Sequence, residues 1–175
     1  INSSQIGTYA FVYCTSLRSV TFNNAVDTID DIAFAYCSAL EEVSFHSSVR
    51  VIGSLAFGFC QSLTSFYIPA GVEEIGGVKL VPSGYTGSIV LPDGVTEVGA
   101  YAFSSIAGVT SVDLNDVENI GTGAFYQFGG TNGVTVTAGD ALRTIGDSAF
   151  MRSTITRLVL PEGVESVGTG AFSYC

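Results

Sequence analysis

A chain of 175 residues fits one domain, and 47% hydrophobic against 13% charged residues gives it a core and argues against disorder. Sixteen acidic residues against six basic ones, with Lys79 the only lysine, give a formal charge of −10 that repels nucleic-acid phosphates and anionic lipid. No apolar run approaches the roughly 18 to 20 residues of a membrane span, so neither nucleic acid nor membrane insertion is expected. No basic-then-apolar leader opens the chain, which says nothing about export.

Along the chain one unit keeps returning. Ala-Phe pairs begin at Ala10, Ala33, Ala56, Ala102, Ala124, Ala149 and Ala171, in steps of 23, 23, 46, 22, 25 and 22. The long step is twice the first, so a degenerate copy belongs midway, and Lys79-Leu80 stands there with Leu80 in the Phe place. Four residues before each pair come Ile6, Ile29, Ile52, Ile75, Val98, Ile120, Ile145 and Val167, most of them followed by Gly. Three residues earlier again come Val26, Val49, Val72, Val95, Val117, Leu142 and Val164. After each turn runs an L-x-x-V-x-F/I/L segment, as in Leu17-Val20-Phe22, Leu40-Val43-Phe45 and Leu63-Phe66-Ile68.

Each part has a physical reading. V-x-I alternates with period two in β-branched and aromatic residues, which predicts a short strand with the Val20 and Phe22 types inward. Pro69, Pro92 and Pro161 would stop it. The Gly after Ile suits a tight bend needing a permissive backbone. A-F-x-x-C is long enough for one helical or 3₁₀ turn that buries Phe and Cys. No unit can bury its apolar edge alone, so the units must stack, at about 4.8 Å per coil. The expected fold is a repeat solenoid over residues 1–175, a right-handed leucine-rich-repeat-type coil. It has short parallel strands on one face and short helical or 3₁₀ turns opposite, with seven to eight repeats and a degenerate one near 77–91. The Phe11, Phe34, Phe57, Leu80, Phe103, Phe125, Phe150 and Phe172 column should be its spine.

The unit I-G-x-x-A-F-x-x-C-x-x-L-x-x-V-x-I-P closely resembles the BspA-like leucine-rich repeat family. Ile6-Gly7, Ala10-Phe11, Cys14, Leu17, Val20 and Phe22 carry the likeness in the first unit. Ile52-Gly53, Ala56-Phe57, Cys60, Leu63, Phe66 and Ile68-Pro69 carry it in the third. The pattern blurs at 78–85 and 126–132, where bulges are expected, and the chain lacks the Asn ladder of ordinary leucine-rich repeats. The resemblance implies a secreted or cell-surface protein linked to adhesion, with no catalytic residues. The chain starts and stops within a repeat without a polar cap, so it is read as a segment of a longer protein or as one whose ends self-associate.

The chemistry-bearing residues point the same way. Cys14, Cys37, Cys60 and Cys175 share one slot, filled elsewhere by Ser83, Ile106, Phe128 and Ser153. Stacked thiols at the coil spacing sit wider than a disulfide's Cβ separation, so buried free thiols are favoured over a bridge or a metal. His46, the only histidine, lies in line with Ser44 and Glu42 along one strand, which does not give the convergence of a catalytic triad. Asp113, Asn115, Asp116 and Glu118 form an oxygen-rich cluster without a known calcium spacing. Asn2-Ser3-Ser4 fits a glycosylation sequon of little weight. No cofactor, metal or enzymatic activity is expected.

The candidate binding surface is the outer face of the strands, and from it Thr21, Glu42, Ser44, His46, Tyr67, Asp113 and Arg157 are selected as ligand-binding. Tyr67 and Arg157 are the expected anchors, because interface hot spots favour Tyr and Arg. The expected partner is a protein ligand such as a host extracellular-matrix or surface protein. The alternative is a structural spacer or stalk within a larger surface protein. Asp27, Glu73, Glu74, Glu97, Glu118 and Glu165 would form a negative stripe beside that face.

Overall fold

The computed structural model describes residues 4–63, 67–76 and 85–175. It is a parallel solenoid of about seven turns. The expected strands are present. Thr86–Val90, Gly108–Asp113, Val134–Thr137 and Ile155–Leu158 form a four-stranded parallel sheet, and Ser19–Thr21 pairs in parallel with Glu42–Ser44. Residues 64–66, between these ladders, lie outside the described residues, as do Leu80 of the spine, Ser83 and most of the degenerate repeat. Bulges interrupt the pairing at Gly87/Ser88 and at Val134/Thr135, each just beyond a stretch where the repeat pattern blurs.

The V-x-x-I segment, to which the sequence reading assigns no strand, builds the longest sheet. Gln5–Ile6, Thr28–Ile29, Val51–Ile52, Glu74–Ile75, Glu97–Val98, Asn119–Ile120, Thr144–Ile145 and Ser166–Val167 pair in parallel, one per coil, in chain order. Two residues suffice because the next amide in each coil continues the ladder: Asp30 N–H donates to Ile6 O at 2.9 Å, and Gly53 N–H to Ile29 O at 2.7 Å. The Gly in this segment is therefore not a bend with a special φ. Its lack of a side chain lets one backbone approach the last. A Cβ on Gly53 would fall 2.5 Å from Asp31 N, and one on Gly76 would fall 2.4 Å from Ser54 N. On Gly7, in the first coil, it would meet nothing within 4 Å.

The A-F-x-x-C segments also differ from expectation. No described residue in them is helical or 3₁₀. Instead three overlapping β-turns run in succession, with Ala10 N–H donating to Gly7 O at 3.1 Å, Val12 N–H to Tyr9 O at 3.2 Å and Cys14 N–H to Phe11 O at 3.1 Å. The third residue of the first and last turns is left-handed, at φ 62° for Tyr9 and 59° for Tyr13, as in type II turns. Two such residues per coil prevent helical continuation, and they aim the intervening amides at the next coil. Phe11 N–H reaches Ala33 O at 2.7 Å and Tyr13 N–H reaches Ala35 O at 3.0 Å. The third side of the coil is thus held by backbone bonds between coils as well.

Inside, the Ala-Phe pair explains itself. Ala33, Ala56, Ala102, Ala124 and Ala149 are fully buried, and beside them the Phe rings stack face to face. Phe34 and Phe57 lie 5.2 Å apart, Phe125 and Phe150 4.9 Å, and Phe150 and Phe172 5.3 Å, all within 4° of parallel. Ile29, Ile52, Ile75, Leu40 and Leu63 complete one continuous apolar core.

Candidate functional site

Strand register decides which outward side chains are neighbours. Ser19 lies beside Glu42 and Thr21 beside Ser44. Ser88 lies beside Ser111 and Val90 beside Asp113. Asp113 in turn neighbours Thr137, and Thr135 neighbours Arg157. The repeat carries Tyr67 into line with Ser44 and Val90, so Thr21, Ser44, Tyr67 and Asp113 fall in one column. Glu42 and Arg157 fall in the adjacent column and His46 just beyond the strand. All seven share a face, but it spans the solenoid and they do not converge on a point. Thr21, Glu42, His46, Tyr67 and Arg157 are exposed, whereas Ser44 and Asp113 are half-buried.

Several of these residues have structural duties. Ser48 N–H donates to His46 Nδ1 at 3.2 Å, which turns the ring toward its own loop. Ser44 Oγ–H donates to Glu42 Oε1 at 3.4 Å. Asp113 Oδ1 accepts from Asn115 N–H at 3.2 Å, and Asn115 donates from Nδ2 to the Leu91 carbonyl. Asp116 Oδ2 accepts from Gly94 N–H at 3.1 Å. Asp113, Asn115 and Asp116 of the oxygen-rich cluster thus satisfy backbone groups at the strand ends.

Among the described residues this face carries two hollows at the expected anchors, which the sequence could not show. The larger, about 530 Å³, has walls that include Tyr67, Tyr85, Val90, Pro92, Asp93 and Asn115 over a floor of Ile68, Ile89 and Leu91. Tyr67 is 67% exposed and Val90 59%, while the floor residues are buried. Tyr85 is buried against them, its hydroxyl donating to Ser88 O at 2.7 Å, and that burial raises its pKa. The second hollow, about 350 Å³, lies among Thr135, Thr137, Asp140, Arg157, Val159 and Pro161. Both expected anchors thus line a concavity.

The turn edge carries a feature that sequence reasoning missed. Tyr13, Tyr36 and Phe59 stack outside the core at 4.7 and 4.6 Å, and are 64%, 38% and 41% exposed. The signal was present as an aromatic residue immediately before Cys14, Cys37, Cys60 and Cys175. In the last two coils the same column holds Arg152, whose guanidinium sits 5.8 Å from the Tyr174 ring centroid.

All four cysteines are unpaired. Their slot is a hydrogen-bonding one: Cys37 Sγ–H donates to Phe11 O at 3.1 Å, Cys60 to Phe34 O at 3.2 Å, and Cys175 to Phe150 O at 3.1 Å. Burial pushes the Cys60 thiol up to about 12, helped by Cys37 beside it and opposed by a backbone hydrogen bond. Burial raises Cys37 too. Such thiols are poor nucleophiles and poor metal ligands at neutral pH. Among the described residues no group of three or more His, Cys, Asp or Glu side chains could hold a metal ion.

Comparison with known proteins agrees with this architecture. A leucine-rich repeat protein from Bacteroides ovatus superposes with a TM-score of 0.65 at 22% identity, over 96% of this chain and 49% of that one. A Treponema pallidum leucine-rich repeat protein gives 0.65 at 29% identity, over 75% of this chain and 64% of its own. The chain therefore spans about half the length of the first and under two thirds of the second. No curated protein matches the chain. The family model described as the BspA type leucine-rich repeat region matches six copies across residues 1–79 and 83–175, and the chain belongs to that family.

Proposed function

We propose that this chain is a non-catalytic binding or adhesion module of a secreted or cell-surface protein, recognising a protein ligand through its strand face. The observation that carries this reading is Tyr67, two-thirds exposed beside Val90 at the rim of the larger hollow. An aromatic and an aliphatic side chain exposed together at a concavity suit the apolar centre of a binding interface. Small Ser and Thr neighbours let a partner backbone approach closely. The membership of surface repeat proteins in this family supports the setting. The absence of a catalytic role is supported by His46, the only histidine, being bonded to its own loop.

The test is a pull-down from extracellular matrix and serum, run with wild type and Tyr67→Ala. A partner captured by wild type and lost by the variant supports the reading. The exposed ladder of Tyr13, Tyr36 and Phe59 favours a second reading, in which the turn edge binds. A partner kept by Tyr67→Ala and lost by Tyr36→Ser would select that edge. Capture of nothing by either face would favour the spacer role.

A further inference from the structure

We infer that the larger hollow of the strand face is a receptor for an arginine side chain presented by a basic segment of the partner; the inference rests on the strand-face reading and names what that face selects. Three features converge. The floor of Ile68, Ile89 and Leu91 and the flank of Val90 and Pro92 are apolar, suiting a three-carbon aliphatic stem. Tyr67 supplies an exposed ring on which a flat guanidinium can stack. Asp93, exposed on the wall, supplies a carboxylate for the planar fork.

Among the described residues Asp93 has no ion-pair partner. Among the described residues the ion pairs are Arg18 with Glu41 and Arg50 with Glu73, neither of which lines this hollow. No described lining residue is basic, and Asp113 and Asp116 stand on the neighbouring coil. An uncharged plug would desolvate Asp93 without compensation, which costs affinity, whereas a cation turns the same burial into an ion pair. The net charge of −10 steers such a segment toward the molecule. Arginine is preferred to lysine because the ring and the carboxylate both reward a planar group. The chain already sets one guanidinium beside an exposed tyrosine ring, Arg152 with Tyr174.

The probes are acetyl-Gly-Arg-Gly-amide and the same peptide with citrulline, which keeps the shape and removes the charge. Titrated into the isotope-labelled chain and followed by backbone amide shifts, the arginine peptide should saturate in the millimolar range. Its shifts should centre on Val90, Leu91, Asp93 and Asn115. Citrulline should bind about tenfold more weakly. Asp93→Asn should bring the two peptides together, and Tyr67→Ala should weaken arginine by several-fold, with the unfolding midpoint of both variants unchanged. Equal affinity for the two peptides, shifts centred outside the hollow, or indifference to Asp93→Asn would overturn the inference. A captured partner lost by Tyr67→Ala but kept by Asp93→Asn would overturn it too, while leaving the strand-face reading standing.

Discussion

The first three coils and the last four are built on one template and held by different means. In the last four the strands are long, reaching six residues at Gly108–Asp113, and they join one four-stranded sheet. In the first two of the early coils the corresponding strands have three residues and pair only with each other. There the side chains add what the backbone does not: a second stack of Tyr13, Tyr36 and Phe59, and thiol bonds from Cys37 and Cys60 to the preceding coil. The later coils fill the Cys slot with Ile106, Phe128 and Ser153, and Phe128 packs edge-on against Phe125 at 5.2 Å. A repeat can therefore trade ladder length for side-chain columns without changing its outline.

The largest expected effect belongs to what the two halves share. Phe57→Ala, which deletes a fully buried ring between coils, should cost about 3–5 kcal/mol in urea denaturation. A loss no larger than that of Thr21→Ala would break the idea of a common spine. Next comes the run of consecutive thiols in the early coils. Cys60→Ala should cost about 1–3 kcal/mol through the lost hydrogen bond and a small void.

It should also change the response to alkali. The folded Cys60 pKa of about 12 exceeds the ordinary value of 9.0, so the folded state holds the proton more tightly. The stability this contributes is complete below pH 9 and is lost as pH rises from about 9 to about 12. Wild type should decline across that window more steeply than Cys60→Ala; parallel curves would mean the thiol ionises as easily folded as unfolded. In native protein at pH 8, thiol reagents should modify exposed Cys175 quickly and Cys37 and Cys60 only on unfolding, when all four react. Fewer than four thiols from protein purified without reductant would reveal a bridge.

A smaller effect separates the halves on the surface. Tyr36→Ala removes a ring stacked on both sides and should cost about 1 kcal/mol. Gln127→Ala, in the same column of the later coils, should change stability by less than about 0.5 kcal/mol. Equal losses would show that the outer stack adds nothing. Opposite in sign, Ser148→Gly should stabilise by about 0.5–1 kcal/mol. Ser148 is left-handed at φ 53°, and the coils on either side use Gly123 and Gly170 there.

The period, the spine and the outward columns could be read from sequence because each rests on side-chain recurrence: Ala-Phe every 22 to 25 residues, and alternation at Val20 and Phe22. The eight-stranded sheet could not, since a two-residue strand such as Thr28–Ile29 has no alternation to detect. The turns were misread because left-handed backbone normally announces itself through Gly or Asn. Here it falls on Tyr9, Ile32, Leu55 and Phe59, where bonding between coils outweighs a strain of about 1–2 kcal/mol each. In the candidate site, the face was legible from period two, and Tyr67 from its size among serines and threonines. The hollow beside it was not, because Tyr85, which lines it and bonds Ser88 O, falls where the repeat pattern blurs.

Among the described residues, backbone hydrogen bonds on the three sides of the coil run between neighbouring coils, nearly along the solenoid axis. A pull applied end to end therefore loads the coils in series, and the weakest opens first while the others keep their bonds. A stacked coil occupies about 4.8 Å of axis, whereas 23 residues drawn straight reach about 75–80 Å. Opening one coil thus releases roughly fifteen times the length it occupied. Under traction the molecule would act as a shock absorber, paying out slack one coil at a time while the remaining coils keep their outer columns in order.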